Sequence, residues 1–466
     1  MTSGAALVLP VPVSLADGDG LWRAFAIPAA FFFLLGGAMA RAGKVHPERV
    51  LVREGACVLV GAWCLLTVTA MLPYLFTGTL SVADALSEGV SGVTTTGLTM
   101  LPAQVPRSLV FWRSLTQWMG GVYIVLLLVT IVPQVAEWFG MSLVMMRGQM
   151  VGQLLPSMRR VADRVAGVYM GATAVFAAIF AGLGLSAFDA VNLAMVTLAT
   201  GGCYTPEPLA GVRAAALSFA MMAAMLFSSG NFFFYAELVR RRALAGGGAG
   251  EMRAMLSLAA GAGLLVSLHL WHVGVYDLPE SLRHGFYSAA AFLSTTGTDP
   301  AGLAGWPDFD RFVLILLVFI GGCIVSSSGG LKIVRLAVLV NASLAELRRT
   351  LHPRMMLRIS ALGRVVPLSL VGQLLSFFAL YTAVFFGAAM ALSLTGLAPL
   401  SALGLSAACL TSAGPAALLA GDPASYAALG SGGRLFCCAL MLLGRLEIFS
   451  FLLVLQTMFG RSKGRW

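Results

Sequence analysis

Charged side chains are scarce in this sequence. Asp, Glu, Lys and Arg make up 11% of its 466 residues, whereas a soluble domain contains about 25%. Hydrophobic residues make up 59%, and apolar runs of about 20 residues recur, the length that crosses a bilayer as a helix. The composition therefore excludes an ordinary soluble domain and predicts an all-α polytopic membrane protein.

Motifs for catalysis, metal binding and nucleotide binding are missing as well. The seven cysteines form no CxxC pair or Cys/His cluster, so we interpret them as small apolar packing residues. The glycine-rich stretch 244–250 lacks the GK[ST] of a phosphate-binding loop and is interpreted as a linker. We therefore expect neither an enzyme nor a cofactor on this chain.

The net charge of +10 does not indicate nucleic-acid binding, because the basic residues lie between apolar spans. Each basic cluster bounds a pair of spans, so all of them can face the cytosol, as the positive-inside rule requires. The clusters lie at residues 41–53, 147–164, 240–253, 332–364 and 461–465.

One pattern repeats four times along the chain at a period of about 100 residues. Each unit has an outward span, a short semipolar run, a Thr/Ser–Gly segment and a return span. An even number of spans per unit makes the units parallel, which predicts four helix–pore-helix–helix repeats around one central pore. The predicted units are an N-terminal segment 1–48 and repeats 49–146, 147–245, 246–358 and 359–466.

The limits of the spans follow from the apolar runs. One additional N-terminal span is predicted at 22–40, and the residues before it, interrupted by Pro10 and Pro12, are too short to span and are left unassigned. The outward spans are predicted at about 51–76, 161–184, 254–276 and 364–394, and the return spans at about 107–133, 211–239, 309–346 and 432–459.

The short run in each repeat is predicted to be a half-helix that enters from outside. The four runs end in glycine and begin near helix-start residues, which are Ser81 and Asp84, Ser186 and Asp189, Ser281, and Ser401. Non-helical backbone at membrane depth is tolerated only where it lines a water-filled path or is buried in protein. A single segment of this kind would be interpreted as a surface helix cap, but four copies predict a lining. Helix C-termini carry a charge of about −0.5, which favours cations without any carboxylate.

Several stretches in matching order resemble the Trk/Ktr/HKT superfamily of potassium transporters, and most closely its bacterial TrkH membrane-subunit branch. They are SGVTTTGLT (91–99), FWRSLTQWMGGV (111–122), SSSGGLKIVR (326–335), HP (352–353) and MLLGRLEIF (441–449). The resemblance covers the chain from about residue 45 onward. It implies a selective, gated pore for potassium uptake across the bacterial inner membrane.

The resemblance also implies one selectivity-filter strand per repeat, with K⁺ at the filter carbonyls. The implied filter residues are Thr94, Thr95, Thr96, Gly97, Ala199, Thr200, Gly201, Thr295, Thr296, Gly297, Ser412, Ala413 and Gly414. Plant members that prefer Na⁺ have serine at the first filter glycine, so Gly97 favours K⁺. The fourth segment departs from the family's usual Asn–Leu–Gly–Pro–Gly, since it has Ser–Ala–Gly–Pro–Ala at 412–416.

Two alternatives stay open at this point. One is a Na⁺-permeable or Na⁺-coupled K⁺ transporter of the same superfamily. The other is a secondary cation symporter with broken helices, although such folds commonly combine repeats of opposite orientation and the basic clusters here fall on one side.

The stretch GGCIVSSSGGLK (321–332) interrupts the third return span with glycine pairs and serines, which disfavour a continuous helix. A small-residue packing face between helices is the alternative interpretation. The resemblance implies an intramembrane gating loop beneath the filter, formed by Gly321, Gly322, Ser326, Ser327, Ser328, Gly329, Gly330 and Lys332.

Arg445 lies in the middle of the last predicted span. A charge there costs about 2.5–3.5 kcal/mol on insertion scales, so it should face a cavity or a partner. Glu447 is two residues away and therefore on a different helix face, which leaves a salt bridge to another helix as the structural interpretation. The resemblance implies instead that Arg445 is an electrostatic barrier in the pore.

The resemblance further implies assembly. It predicts a homodimer in contact with membrane lipid and a cytosolic ring of nucleotide-binding regulatory subunits (RCK-type, TrkA-like), docked most favourably on the basic segment 332–364. The basic loops and the C-terminus are expected in the cytosol.

Overall fold

The computed structural model describes ten stretches of the chain, and every structural statement below refers to them. Their helices account for nearly all the regular structure, and strands β1 (Ser360–Ala361) and β2 (Arg364–Val365) pair as a short antiparallel hairpin. The described residues are 2–42, 52–102, 104–130, 155–204, 212–241, 248–298, 302–352, 359–362, 364–414 and 425–446.

The first residues, which the sequence left unassigned, are helical. Helices α1 (Thr2–Val8) and α2 (Pro10–Asp17) fold back on α3 (Trp22–Ala42). Pro10 is compatible with this because it is the first residue of α2, where a helix needs no N–H donor. Leu7 and Phe25 join a buried apolar cluster with Trp112, so this hairpin is anchored on the first repeat.

The remaining helices follow the repeating order that the sequence predicts: a long helix, a short helix and a return helix. In chain order they are α4 (Val52–Phe76), α5 (Val82–Val93), α6 (Arg107–Thr130), α7 (Leu155–Gly182), α8 (Ala187–Leu198), α9 (Val212–Ser228), α10 (Phe232–Arg241), α11 (Ala249–Val273), α12 (Leu278–Leu293), α13 (Asp308–Ile320), α14 (Ile333–Leu351), α15 (Leu368–Ser393), α16 (Pro399–Thr411) and α17 (Ser431–Arg445).

The starts of the four short helices show which local signals operate. The Oγ atoms of Ser81 and Ser186 accept the backbone N–H three residues on, at 3.3 and 3.1 Å, as N-caps do. The other two helices begin near the predicted serines but a few residues before them. Asp277, not Ser281, caps α12, and α16 begins at Pro399, two residues before Ser401. In both cases a proline in the first turn fixes an earlier start.

Two return helices are broken. The span predicted as continuous at 211–239 is wrong, because α9 ends at Ser228 and α10 begins at Phe232 with a bend of 92° between them. Asn231 Oδ1 accepts the Phe234 N–H at 3.1 Å and so caps the new helix. The third return span is interrupted between α13 and α14, where the sequence predicts a loop.

Four described helices are long and apolar enough to cross a membrane, namely α3, most of α7, α11 and α15, and the bent pair α9–α10 makes a fifth if it is counted as one span. Much of their surface is apolar and exposed, for example Leu368 and Met390 of α15, both at 72%. The short helices are buried in their C-terminal halves, so they lie inside the bundle and the long helices surround them.

Candidate ion-conduction site

Each short helix ends in the same unusual turn. The residue after the helix, or one beyond it, has a positive φ although it is not glycine: 53° at Thr95, 56° at Thr200, 60° at Thr295 and 53° at Ser412. Such angles are uncommon for side-chain-bearing residues and persist only where the surroundings impose them. One conformation at four equivalent places is evidence for one structural unit used four times.

These turns define the register of the four segments, which we call turn segments 1 to 4: residues 94–97, 199–202, 294–297 and 411–414. Two residues after the left-handed position stand Gly97, Gly202 and Gly297, each with positive φ. The predicted equivalence of Gly201 with Gly97 is therefore wrong by one residue. Gly201 occupies the place of Thr96, and the signal for the shift was the second glycine of Gly–Gly.

Three of the turn segments touch directly. The N–H of Gly414 donates to the Thr96 carbonyl oxygen at 2.5 Å. A Cβ added at Gly97 would overlap the carbonyl oxygen of Gly201, so the backbones of segments 1 and 2 meet where no side chain fits. The residues predicted as filter positions in repeats 1, 2 and 4 are thus brought together. Repeat 3 is linked to them indirectly, because Thr295 Oγ1 accepts the Gly329 N–H of the 321–332 segment, while the Thr296 hydroxyl pairs with that of Ser294 within its own turn.

The interrupted segment 321–332, which we call the loop, lies directly against the turn segments. The Thr200 hydroxyl donates to the Ser327 carbonyl oxygen at 3.1 Å, and the Gly329 N–H donates to Thr295 Oγ1 at 2.9 Å. A Cβ at Gly329 would overlap the carbonyl oxygen of Thr411. The loop therefore contacts segments 2, 3 and 4, which excludes its interpretation as a mere packing face between two helices.

Arg445 completes the contacts on segment 1. Its Nε donates to the Thr94 carbonyl oxygen at 2.6 Å, its Nη1 to the Ser327 carbonyl oxygen at 2.8 Å, and its Nη2 to the Thr95 hydroxyl. These partners are neutral oxygens, and the ion-pair interpretation finds no carboxylate on Arg445 within the described residues. Glu447 lies outside those residues.

The four left-handed residues all carry a hydroxyl group, and they lie beside Arg445 or the loop. Thr95 bonds to Arg445, while Thr200 and Thr295 bond to the loop. Ser412 Oγ is buried and has no hydrogen-bond partner in the part of the chain that the structure describes. Arg445 and the loop occupy the position at which the short helices present their carbonyl ends.

Hydrogen bonds within the loop hold it compact. Ser326 and Ser328 hydroxyls lie 2.7 Å apart, and Ser328 Oγ accepts the Gly322 N–H at 3.1 Å. Lys332 Nζ donates to Ser326 Oγ at 3.2 Å and to the Ser328 carbonyl oxygen. The loop ends are joined where the Lys332 N–H donates to the Ile320 carbonyl oxygen at 2.8 Å. The predicted loop residues, including Gly321 and Gly330 with φ of 69° and 78°, therefore act as one folded piece.

Two contacts were missed by sequence reasoning. Gly120 and Gly444 let return helices approach the short helices so closely that a Cβ would overlap the carbonyl oxygens of Val93 and Leu410. The sequence signal for these close approaches was a glycine in the motifs MGG (119–121) and LLGR (442–445). Glu88, 3% exposed, accepts the Met100 N–H at 2.7 Å and so positions the chain after segment 1.

The electrostatics favour cations. Four helix C-termini end at the turn segments and contribute partial negative charge. Arg445, 5% exposed, donates to Thr94, the residue that ends α5, so a guanidinium supplies the compensating positive charge. Buried polar turns at the ends of short helices, surrounded by long apolar helices, define a polytopic membrane transport protein.

Comparison with known proteins agrees with this class. A family profile described as TrkH, cation transport protein, matches residues 23–462, so the chain belongs to the TrkH family. The Trk system potassium uptake protein TrkH of Vibrio parahaemolyticus is 30% identical over 98% of this chain and 96% of its own length. TrkH of Halomonas elongata is 29% identical over 98% and 96%, and TrkG of Escherichia coli 29% over 97% and 95%.

A solved structure is also similar. The crystal structure of the potassium transporter TrkH from Vibrio parahaemolyticus superposes with a TM-score of 0.86 at 27% sequence identity, covering 98% of this chain and 96% of that one.

Proposed function

We propose that this protein takes up potassium across the bacterial inner membrane through a selective, gated pore. The proposal is carried by one observation: the turn segments lie together, and the loop and Arg445 are hydrogen-bonded to them. The relatives are named as potassium uptake proteins, and the site offers oxygen atoms without fixed carboxylates, as a K⁺ filter does.

In this proposal the filter strands are the four turn segments, arranged around one pore by four parallel repeats. Their backbone carbonyls and hydroxyls replace the hydration shell of K⁺. We place Gly97 in the ring of filter residues that selects K⁺. Its positive φ and its contact with Gly201 leave no room for a side chain. We assign Gly202 to the ring in place of Gly201 on the register of the turns.

The loop and Arg445 are proposed to form the gate. The loop is hydrogen-bonded to turn segments 2 and 3 and to Arg445, and it packs against segment 4 at Gly329. We infer that this arrangement blocks passage below the filter. Conduction then requires the loop to leave and the guanidinium to release Thr94 and Thr95. A cation leaving the filter otherwise meets a fixed positive charge.

The assembly is proposed from the family. Relatives carry the name Trk system, which supports a partner subunit of the RCK-type, TrkA-like class on the cytosolic face. We place its docking surface on the basic end of α14, where Arg348 and Arg349 occupy the last turn. A homodimer and a lipid-covered apolar surface complete the proposed arrangement.

Growth tests the proposed function. A bacterial strain without its own potassium uptake systems should grow at submillimolar K⁺ when it expresses this chain together with the proposed regulatory subunit. Gly97→Ser should abolish that growth, whereas Gly61→Ser, at a helix position with open space, should not. Equal growth with the Gly97 variant and the unmodified chain would overturn the filter assignment.

A Na⁺-permeable or Na⁺-coupled transporter is the second candidate, favoured by the altered fourth segment with Ser412 and Ala413. The effect of Na⁺ on K⁺ uptake distinguishes a Na⁺-coupled transporter from a K⁺-selective pore. Millimolar Na⁺ should accelerate K⁺ uptake by the coupled transporter and leave uptake through the selective pore unaffected.

A further inference from the structure

Glu251 is a buried carboxylate that the conduction site does not use. It lies in the first turn of α11 with its side chain fully buried. Its Oε1 accepts the Ile324 N–H of the loop at 2.6 Å, and its Oε2 accepts Asn231 Nδ2 at 2.9 Å. Both carboxylate oxygens therefore face N–H donors, one on the loop and one at the break between α9 and α10.

The same two non-helical pieces are also joined through their backbones. The Cys323 N–H donates to the Ser229 carbonyl oxygen at 2.8 Å, and the Phe232 N–H donates to the Val325 carbonyl oxygen at 2.8 Å. These bonds satisfy backbone groups that the breaks leave free, which buried backbone requires. The start of the loop is thus hydrogen-bonded to the break between α9 and α10, which we call the seat of the loop.

We propose that Glu251 is the positioning residue that latches the loop in its closed place, and that the 228–232 break of the second repeat is the seat of this latch. The inference rests on the proposed gate, because it identifies what holds the loop when the pore is shut. Hydrogen bonds to a charged acceptor are about twice as strong as neutral ones. A single carboxylate that binds both pieces therefore couples repeat 2 to the gate in repeat 3.

The latch explains why the break in α9–α10 exists. A continuous second return helix would place its own i→i−4 bonds where Ser229 and Phe232 now bond to the loop. Asn231 serves both roles, since its Oδ1 caps α10 and its Nδ2 holds Glu251. Any partner that straightens or tilts this bend would break the backbone bonds of Ser229 and Phe232 to the loop and so release it.

Hydrogen–deuterium exchange of the full-length protein in lipid nanodiscs tests the latch. In Glu251→Gln the amide NH₂ must face one of the two N–H donors, so exchange across 321–326 should rise about tenfold, the factor expected for losing one charged hydrogen bond. Glu346→Gln is the matched control, because Glu346 is 68% exposed on α14 and pairs only with Arg349 among the contacts described.

A swapped pair separates a latch from general weakening. In Glu251→Gln/Asn231→Asp the new NH₂ again faces a carboxylate, the Asp oxygen can still cap α10, and the net charge is unchanged. Loop exchange should fall from the Glu251→Gln rate towards the unmodified rate, without reaching it, because the Ile324 N–H then bonds to a neutral amide oxygen. Unchanged exchange in Glu251→Gln, or no recovery in the swapped pair, would overturn the latch.

Flux distinguishes the latch from the gate itself. K⁺ flux of Glu251→Gln in liposomes should rise several-fold with the faster loop exchange, which supports both proposals. Faster, rescuable loop exchange with unchanged flux would support the latch and overturn the gate assignment instead.

Discussion

At the scale of single residues, the site depends on polar groups that find neutral partners at membrane depth. Arg445 has three such partners, and two of them belong to turn segment 1. Its importance was predictable from the sequence, because a charge in an apolar span needs a reason. Which oxygens it binds was not predictable, since they come from residues more than a hundred positions away.

Removing the guanidinium should open the path. Arg445→Ala deletes the positive charge below the proposed filter and frees Thr94, Thr95 and Ser327, so K⁺ flux into liposomes should rise about tenfold or more, the effect of lowering a barrier by about 1.4 kcal/mol. Arg434→Gln, which breaks the 2.7 Å ion pair with Asp84, is the control and should leave flux unchanged. Lower flux in a correctly folded Arg445→Ala protein would contradict the barrier.

Asp19 links the N-terminal helices to the first repeat and provides a pH-dependent test. Burial opposes its charge, but hydrogen bonds from Ser108, Ser14 and the Leu21 N–H prevail and hold the pKa of Asp19 below its usual value. A lowered folded-state pKa means that its stabilisation is complete above about pH 4. It is lost as the pH falls through the folded-state pKa.

Asp19→Asn should therefore lower the free energy of unfolding at pH 7 by about 0.5 kcal/mol, a small value because solvent screens this partly exposed group, and the difference from the unmodified protein should shrink below about pH 4. Thermal melting at pH 7 and pH 3 measures this. Asp17→Asn is the matched control: its 3.6 Å pair with Arg107 is exposed and contributes little. A difference that persists undiminished at pH 3 would contradict the assignment.

At the scale of elements, local signals predict which segments are helical better than where they begin or break. The loop was predictable because Gly321–Gly322 and Gly329–Gly330 disfavour helix in the middle of a span. The break after Ser228 was missed, although the residues 228–231 are Ser–Ser–Gly–Asn. The apolar residues on both sides together have the length of one membrane span, so 211–239 was predicted as a single span. Its reason is a tertiary one: the broken backbone bonds to the loop.

The glycines of the loop provide a test at this scale. A Cβ at Gly329 would overlap the Thr411 carbonyl oxygen, and Gly330 has φ of 78°. Gly329→Ala/Gly330→Ala should displace the loop and raise K⁺ flux several-fold in the absence of any partner. Gly372→Ala, at a helix position with open space, is the control. Flux equal to that of the unmodified protein would contradict the gating role.

At the scale of the whole molecule, repetition is what made the order of long and short helices predictable. Four short helices, each ending in a polar turn, were visible as a period, and the structure has a left-handed residue at the equivalent position of all four turns. The one-residue error at Gly201 shows the limit, because adjacent glycines do not reveal which of them has the positive φ. Contacts between repeats, such as Gly414 with Thr96, depend on how the units meet and leave no trace in a single sequence.

The most direct measurement is cation flux into liposomes that contain the purified full-length chain, with K⁺, Rb⁺, Na⁺ and Li⁺ compared in turn. It should be made for the unmodified protein and in the Glu251→Gln background, which loosens the loop at a side chain bonded to Ile324 and Asn231 and not to a turn segment, so that a closed loop does not hide the filter. K⁺ and Rb⁺ flux should be well above Na⁺ and Li⁺ flux, and this preference should be lost in Gly97→Ser and kept in Gly61→Ser. Equal K⁺ and Na⁺ flux before any change at Gly97 would contradict a potassium-selective pore.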